Sequence, residues 1–230
     1  SLLKFPFSSP AHSKVTYASS FGVSEIPASQ VKKTKEYLSR FNMISVREKQ
    51  GAEIVEKLTG KKAEVCCDPT VLTDRKRWDE LSGDCPFVSE KYIFCYFIGN
   101  NPTQREFAKK LAQKTGCKIL AVKHIDEYIK SDDDFGDIDY LEVGPKEFVN
   151  FIRYATYVCT DSFHGTIFSI MYNKNFFTFK RFSDSQKSSM NSRVKNILSI
   201  VGLSNRLFED SITPEAALAD QVDWSDVNKR

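Results

Sequence analysis

The chain has little of what usually announces a function. No apolar run approaches the roughly 20 residues that cross a bilayer, and the longest, Tyr92 to Ile98, suits a buried strand. Neither sign of charge dominates: 33 Lys and Arg stand against 30 Asp and Glu, leaving +3. That balance argues against a phosphate-backbone binder, so nucleic acid is not an expected partner. No Cys-x-x-Cys occurs and the three histidines, His12, His124 and His164, are far apart, so neither a zinc framework nor a redox dithiol has its spacing. A Walker motif, a nucleophile elbow and His-Glu-x-x-His are all missing. Gly99-Asn100-Asn101-Pro102 lacks Gly-x-Gly-x-x-Gly, which leaves a dinucleotide reading weak. No succession of basic, apolar and small residues marks a secretory signal, and the opening Ser, in place of Met, points to a start removed by processing or truncation.

What remains is a composition for a packed core: 230 residues, 41% hydrophobic, 27% charged and 13% aromatic. Disorder, collagen and coiled coil are excluded, and the length allows one large domain or two small ones. The six cysteines, several of them inside apolar runs such as Tyr92 to Phe97, read as small hydrophobes in a reducing cytoplasm.

Short β-rich runs alternate with helical patterns along the chain, the mark of βαβ units, so the class is α/β with parallel sheets. Strands are expected at 15–18, 43–46, 63–67, 92–98, 118–122, 157–160 and 176–179. Helices are expected from Pro27 to about Arg40, then at 47–58, 74–81, 103–114, 145–154, 163–172 and 192–201. Ser82-Gly83-Asp84-Cys85-Pro86 has linker composition, which places a boundary between a first domain over 1–85 and a second over 86–205. The polar remainder, 206–230, is expected as a tail that packs back on the first half. The acidic run Ser131 to Asp134 lacks the spacing of a calcium loop and reads as a solvated turn.

Open parallel sheets bind ligands outside the carboxyl ends of their strands. That rule singles out Ser19-Ser20-Phe21-Gly22, Arg47-Glu48, Asp68-Pro69-Thr70, Gly99-Asn100-Asn101, Lys123-His124 and Asp161-Ser162-Phe163-His164-Gly165. In the last segment Thr160, Asp161 and Ser162 offer capping oxygens at a helix start, an anion-favouring turn that Gly165 lets a ligand approach. His164 is then either an acid and base beside that anion or a locally packed imidazole. Arg47 is either an anion clamp or the partner of Glu48 or of a neighbouring carboxylate on the following helix. Met190-Asn191-Ser192-Arg193 adds a capping side chain and a second guanidinium before a later helix.

Taken in order, Tyr17-Ala18-Ser19-Ser20-Phe21-Gly22, Ile44-Ser45-Val46-Arg47-Glu48, Cys67-Asp68-Pro69-Thr70-Val71-Leu72, Thr160 to Gly165, Asn191-Ser192-Arg193 and Val201-Gly202-Leu203 resemble the polysaccharide pyruvyl transferase family across nearly the whole chain. The resemblance implies two Rossmann-like domains facing across a cleft in a GT-B-like arrangement. It also implies transfer of pyruvate from phosphoenolpyruvate to two hydroxyls of a sugar or lipid-linked glycan as a cyclic ketal, in cell-surface polysaccharide biosynthesis. No cofactor beyond the donor is implied, the setting is cytoplasmic, and a homo-oligomer is open. By the same resemblance His164 matches the catalytic histidine and Arg47 the donor-binding arginine, with Ser162, Phe163, Gly165, Ser20, Gly22, Asn191 and Arg193 around the substrates. The chain departs from some members in having Ser162-Phe163-His164 where they have Arg-Leu-His, a lost cation that Arg193 is a candidate to replace. The family's amino-terminal half of the first domain is expected to be missing, which would leave a first sheet incomplete and a fragment that is inactive alone. Two rival readings stand beside this one: a glycosyltransferase using a nucleotide sugar, and a non-catalytic sugar-binding module.

Overall fold

A computed structural model describes residues 13–23, 25–123, 128–182 and 191–228; His12, His124 and Met190 lie outside them. The chain divides into two compact units, Ser1–Leu72 with Asp184–Asn196, and Thr73–Ser183 with Ile197–Arg230. In the first, β1 (Val15–Ser19), α1 (Ala28–Ser39), β2 (Met43–Val46), α2 (Lys49–Thr59) and β3 (Glu64–Val65) build a three-stranded parallel sheet in the order β1-β2-β3. Leu38, Ile44, Val46 and Val55 form its core, with Phe21 and Phe41 packed against them. The end of β1 is irregular. Its register with β2 shifts between Thr16 and Ser19, and Ala18 takes φ 47°. That left-handed conformation costs a residue with a side chain on the order of 1 kcal/mol. It is held by the Ser45 hydroxyl, which accepts from the Ala18 amide at 2.9 Å and donates to the Thr16 carbonyl at 2.9 Å.

The second unit opens with α3 (Arg75–Ser82). Its sheet is built by β4 (Tyr92–Tyr96), β5 (Lys118–Val122), β6 (Ile138–Tyr140), β7 (Tyr157–Thr160), β8 (Asn175–Phe179) and β9 (Leu207–Phe208), with α4 (Pro102–Thr115), α5 (Pro145–Tyr154) and α6 (Phe163–Met171) as its crossovers. All six strands are parallel in the order β6-β5-β4-β7-β8-β9, which is the Rossmann order, with its reversal between β4 and β7. The near-continuous apolar runs of β4 and β8 follow from burial on both faces. Ile93, Cys95 and Phe97 join the α4 residues Phe107 and Leu111 in one cluster. Phe94 packs on Phe148 and Phe151 of α5. Beyond β8, α7 (Asn191–Ile200) is divided between the units, and α8 (Pro214–Ala219) and α9 (Trp224–Val227) belong to the second.

The linker-like segment does not separate the units. Asn150, fully buried on α5, donates to the Ser82 and Cys85 carbonyls at 2.8 and 2.9 Å and accepts from the Phe87 amide at 3.1 Å, so residues 82–87 are tied into the second unit. The division falls at Leu72 and Thr73 instead of residue 85. The tail differs as well. The described residues from 206 onward are part of the second unit: β9 extends its sheet beside β8 and α8 packs on α4. Arg206 explains why a polar stretch is held so firmly, since its buried guanidinium donates to the Phe176 carbonyl at 2.6 Å and the Asp220 carbonyl at 2.5 Å. The acidic run is more than a solvated turn, because Asp132 pairs at 2.6 Å with Arg105, a residue 2% exposed. Among the cysteines, Cys95, Cys117 and Cys159 are buried as expected of small hydrophobes, whereas Cys67 and Cys85 are exposed; all six are free thiols.

Candidate functional site

In the first unit the carboxyl ends of β1 and β2 carry Ser20, Gly22 and Arg47. The Arg47 amide donates to the Ser19 carbonyl at 3.2 Å, its Nε donates to the Ala18 carbonyl at 2.7 Å, and its Nη1 pairs with Asp68. The partner is therefore Asp68, after β3, and not the adjacent Glu48. Glu48 turns the other way: its Oε1 accepts from the Ser20 hydroxyl at 2.9 Å and the Phe21 amide at 3.1 Å. Its Oε2 is buried with no hydrogen-bond partner, on a residue 2% exposed. Glu48 thus fixes the loop of Ser20 and Gly22, the latter at φ 65°, against the start of α2. Asn191 is buried and Arg193 half-buried in the first turn of α7. One turn further on, Asn196 donates to the Arg47 carbonyl at 3.0 Å, so α7 and the β2–α2 turn belong to one constellation.

In the second unit the turn between β7 and α6 is stitched at nearly every residue. The Ser162 amide donates to Thr160 Oγ1 at 3.0 Å, and that hydroxyl donates to the Tyr96 carbonyl at 2.6 Å. Ser162 is the N-cap of α6, accepting from the Gly165 amide at 3.3 Å, and its own carbonyl accepts from the Thr166 amide and hydroxyl. Gly165 is required by packing: a Cβ there would stand 2.6 Å from Thr160 Oγ1. Ser162, Phe163 and Gly165 are all buried, while His164 is exposed. A helix whose first turn is otherwise buried therefore presents one imidazole at the carboxyl edge of the sheet.

Asp161 joins the two strands that flank the reversal. Its carboxylate accepts from the Ile98 amide at 2.7 Å and the Gly99 amide at 2.8 Å, and a Cβ on Gly99 would lie 2.9 Å from it. Arg181, just beyond β8, stands 3.8 Å from the same carboxylate and donates from Nη2 to the Asp161 carbonyl at 3.3 Å. From sequence, Asp161 falls in a carboxyl-edge segment as a capping oxygen, and Arg181 is not singled out. Arg181 was within reach of the same carboxyl-edge rule, applied to the strand that ends at Phe179. The role of Asp161 depends on β4 and β7 being neighbours, which no local pattern reveals.

No helix among the described residues is long and apolar enough to cross a membrane. A search of curated proteins finds no match. Among solved structures the chain is similar to a protein described as a UDP-N-acetylglucosamine 2-epimerase from Listeria monocytogenes, with a TM-score of 0.48 and 13% identity over 84% of this chain and 58% of that one. It is similar also to the UDP-GlcNAc 2-epimerase from Neisseria meningitidis, with 0.45 and 10% over 80% and 61%. The glycotransferase of kitacinnamycin gives 0.48 and 9% over 88% and 56%. The chain thus spans less than two thirds of each of these neighbours. The model of one protein family matches residues 3–181, a span that holds the Ser20 loop, Arg47, Asp68, the α6 turn with His164, and Arg181. By that match the chain belongs to the polysaccharide pyruvyl transferase family.

Proposed function

We propose that this chain carries the machinery for transferring pyruvate from phosphoenolpyruvate to two hydroxyls of a sugar, as a cyclic ketal. Family membership supports the reaction class, and one observation supports the residue that drives it: the exposed imidazole of His164 on the otherwise buried first turn of α6. Ketal formation needs a proton at the methylene carbon of the donor and positive character at the neighbouring carbon. One sugar oxygen bonds to that neighbouring carbon as the proton arrives. The second then displaces phosphate from it, so two carbon–oxygen bonds form and one breaks. His164 is the acid in this reading and Arg47 binds the donor, its guanidinium oriented by Asp68 and the Ala18 carbonyl. In the first unit Ser20, Gly22, Asn191 and Arg193 are the proposed substrate-binding residues, and in the second Ser162, Phe163 and Gly165 hold His164 in place from beneath. The acceptor is a sugar or lipid-linked glycan of a cell-surface polysaccharide, met in the cytoplasm where the donor is made.

The nucleotide-sugar alternative is disfavoured by Asp161. Amides after the first strand of a Rossmann-order sheet are the usual donors to a diphosphate, and here the Ile98 and Gly99 amides already serve a carboxylate. Phosphoenolpyruvate is expected to raise the unfolding temperature of the chain, and His164→Ala to abolish phosphate release and acceptor mass gain while unfolding at the same temperature. Full activity in that variant removes His164 from the reaction. A thermal response to uridine diphosphate sugars alone replaces this reading with glycosyl transfer, and no response to any anionic donor favours a sugar-binding module.

A further inference from the structure

Arg181 has more hydrogen-bonding capacity than its surroundings use. A guanidinium offers five N–H donors in a fixed fork. Among the described residues it makes a single hydrogen bond, from Nη2 to the Asp161 carbonyl at 3.3 Å. Its Nε is buried without a hydrogen-bond partner. The carboxylate of Asp161, the obvious claimant, lies at 3.8 Å and is already bound by two amides at 2.7 and 2.8 Å. A buried donor left without an acceptor is destabilising, so a cation held this way is best satisfied by an acceptor that arrives from outside.

Its position is specific. Arg181 reaches back from the end of β8 to the exits of β7 and β4: its Cγ would lie 3.1 Å from a Cβ on Gly99, and its Nη2 touches Asp161. This is the crevice at the strand-order reversal, where open parallel sheets take ligands. Tyr96, the last residue of β4, pairs in register with Thr160, the residue before Asp161, and so ends at the same strand exits. Its ring packs on Phe148, while its hydroxyl makes no hydrogen bond among the described residues. Burial holds that hydroxyl above its ordinary pKa; Arg181 acts in the opposite sense and Asp161 adds to the rise, so at neutral pH it is a proton-bearing donor within the field of both charges.

We infer that Arg181 and the Tyr96 hydroxyl form an oxyanion seat at the switch point of the second sheet. Its occupant is one charged end of the donor, an identification that rests on the reading above, and Arg181 supplies within the second unit the guanidinium absent at Ser162. Calorimetric titration of the whole chain with phosphoenolpyruvate, inorganic phosphate and pyruvate tests this in the wild type, Arg181→Gln, Arg181→Lys and Tyr96→Phe. Arg181→Gln is expected to weaken phosphoenolpyruvate at least tenfold, the loss typical of one charge-assisted contact. Arg181→Lys should lose less, because it keeps the charge without the fork. Tyr96→Phe should lose two- to fourfold while unfolding at the wild-type temperature, since its hydroxyl holds nothing in place. Arg181-dependent binding of phosphate alone assigns the seat to the phosphate end, and of pyruvate alone to the carboxylate end. Either of those results without phosphoenolpyruvate binding sustains the seat and refutes the donor. Tight phosphoenolpyruvate binding that is unchanged within twofold in Arg181→Gln does the reverse. Where Arg181→Gln does not fold, unchanged affinity in both Arg181→Lys and Tyr96→Phe overturns the seat, as does a wild type that binds none of the three anions.

Discussion

The carboxyl edges of the two sheets are built on opposite plans. In the first unit the functional side chains are engaged with one another: Arg47 with Asp68 and the Ala18 carbonyl, Glu48 with Ser20 and Phe21, and Asn196 with the Arg47 backbone. Even the backbone is bent to fit, at Ala18. In the second unit the backbone is stitched as tightly, but Arg181 and Tyr96 retain donors that meet no acceptor among the described residues. The sheets themselves differ in the same direction. β4 and β8 are buried on both faces, whereas β1 and β2 leave Val15, Tyr17 and Met43 at 59%, 51% and 68% exposure on one face. The lesson is that stiffness and capacity for a ligand are separate properties. A site can be rigid because its polar groups satisfy each other, or because its backbone is pinned while its side chains wait.

The comparison can be broken by substitution. The largest effect is expected at Gly165→Val, which drives a branched side chain into Thr160 and should cost about 3 kcal/mol in urea unfolding, as overpacking of a tight contact does. A loss below about 1 kcal/mol would show α6 free to shift on β7. Next is Glu48→Ala, which leaves the Phe21 amide and Ser20 hydroxyl without their acceptor and should cost about 2 kcal/mol. Glu48→Gln keeps an acceptor for both and should recover most of that loss by the same measurement. Tyr17→Ser should leave the unfolding midpoint within about 0.5 kcal/mol of wild type, the usual range for an exposed position. A clear drop would mean that this face is covered in solution.

The smallest effect concerns pH. Lys114 holds the carboxyl of Glu215 below its ordinary value across the contact of α4 with α8. The folded value being the lower one, this pair stabilises above the unfolded pKa and its contribution disappears as pH falls through the folded one. Glu215→Gln should therefore narrow the gap in stability between neutral and acid solution slightly, and less so at high salt. An unchanged acid profile at low salt would show the pair to be without effect.

Much of this fold is legible in sequence because its strands are apolar runs and its longer helices have caps and periodic faces. Ser162 is readable as a cap, and Arg47 and His164 are readable from their places after strands. What escapes is short or held from a distance. β6, with the sequence Ile138-Asp139-Tyr140, and the two-residue β9 are too brief for periodicity to register, and exist because a neighbouring strand recruits them. The segment around Cys85 has the composition of a linker, yet the amide of Asn150, more than 60 residues later, secures it. Asp161 is legible as a polar residue after a strand, but its bond to the Gly99 amide spans a separation of 62 residues and depends on strand order.

Asp161 also bears on how such a protein could change its trade. By lodging its own carboxylate against the amides that many α/β enzymes reserve for a nucleotide's diphosphate, the chain carries a built-in tenant in that berth. Eviction would require replacing that one side chain, and it would take from Arg181 the neighbouring negative charge while leaving its bond to the main-chain carbonyl in place.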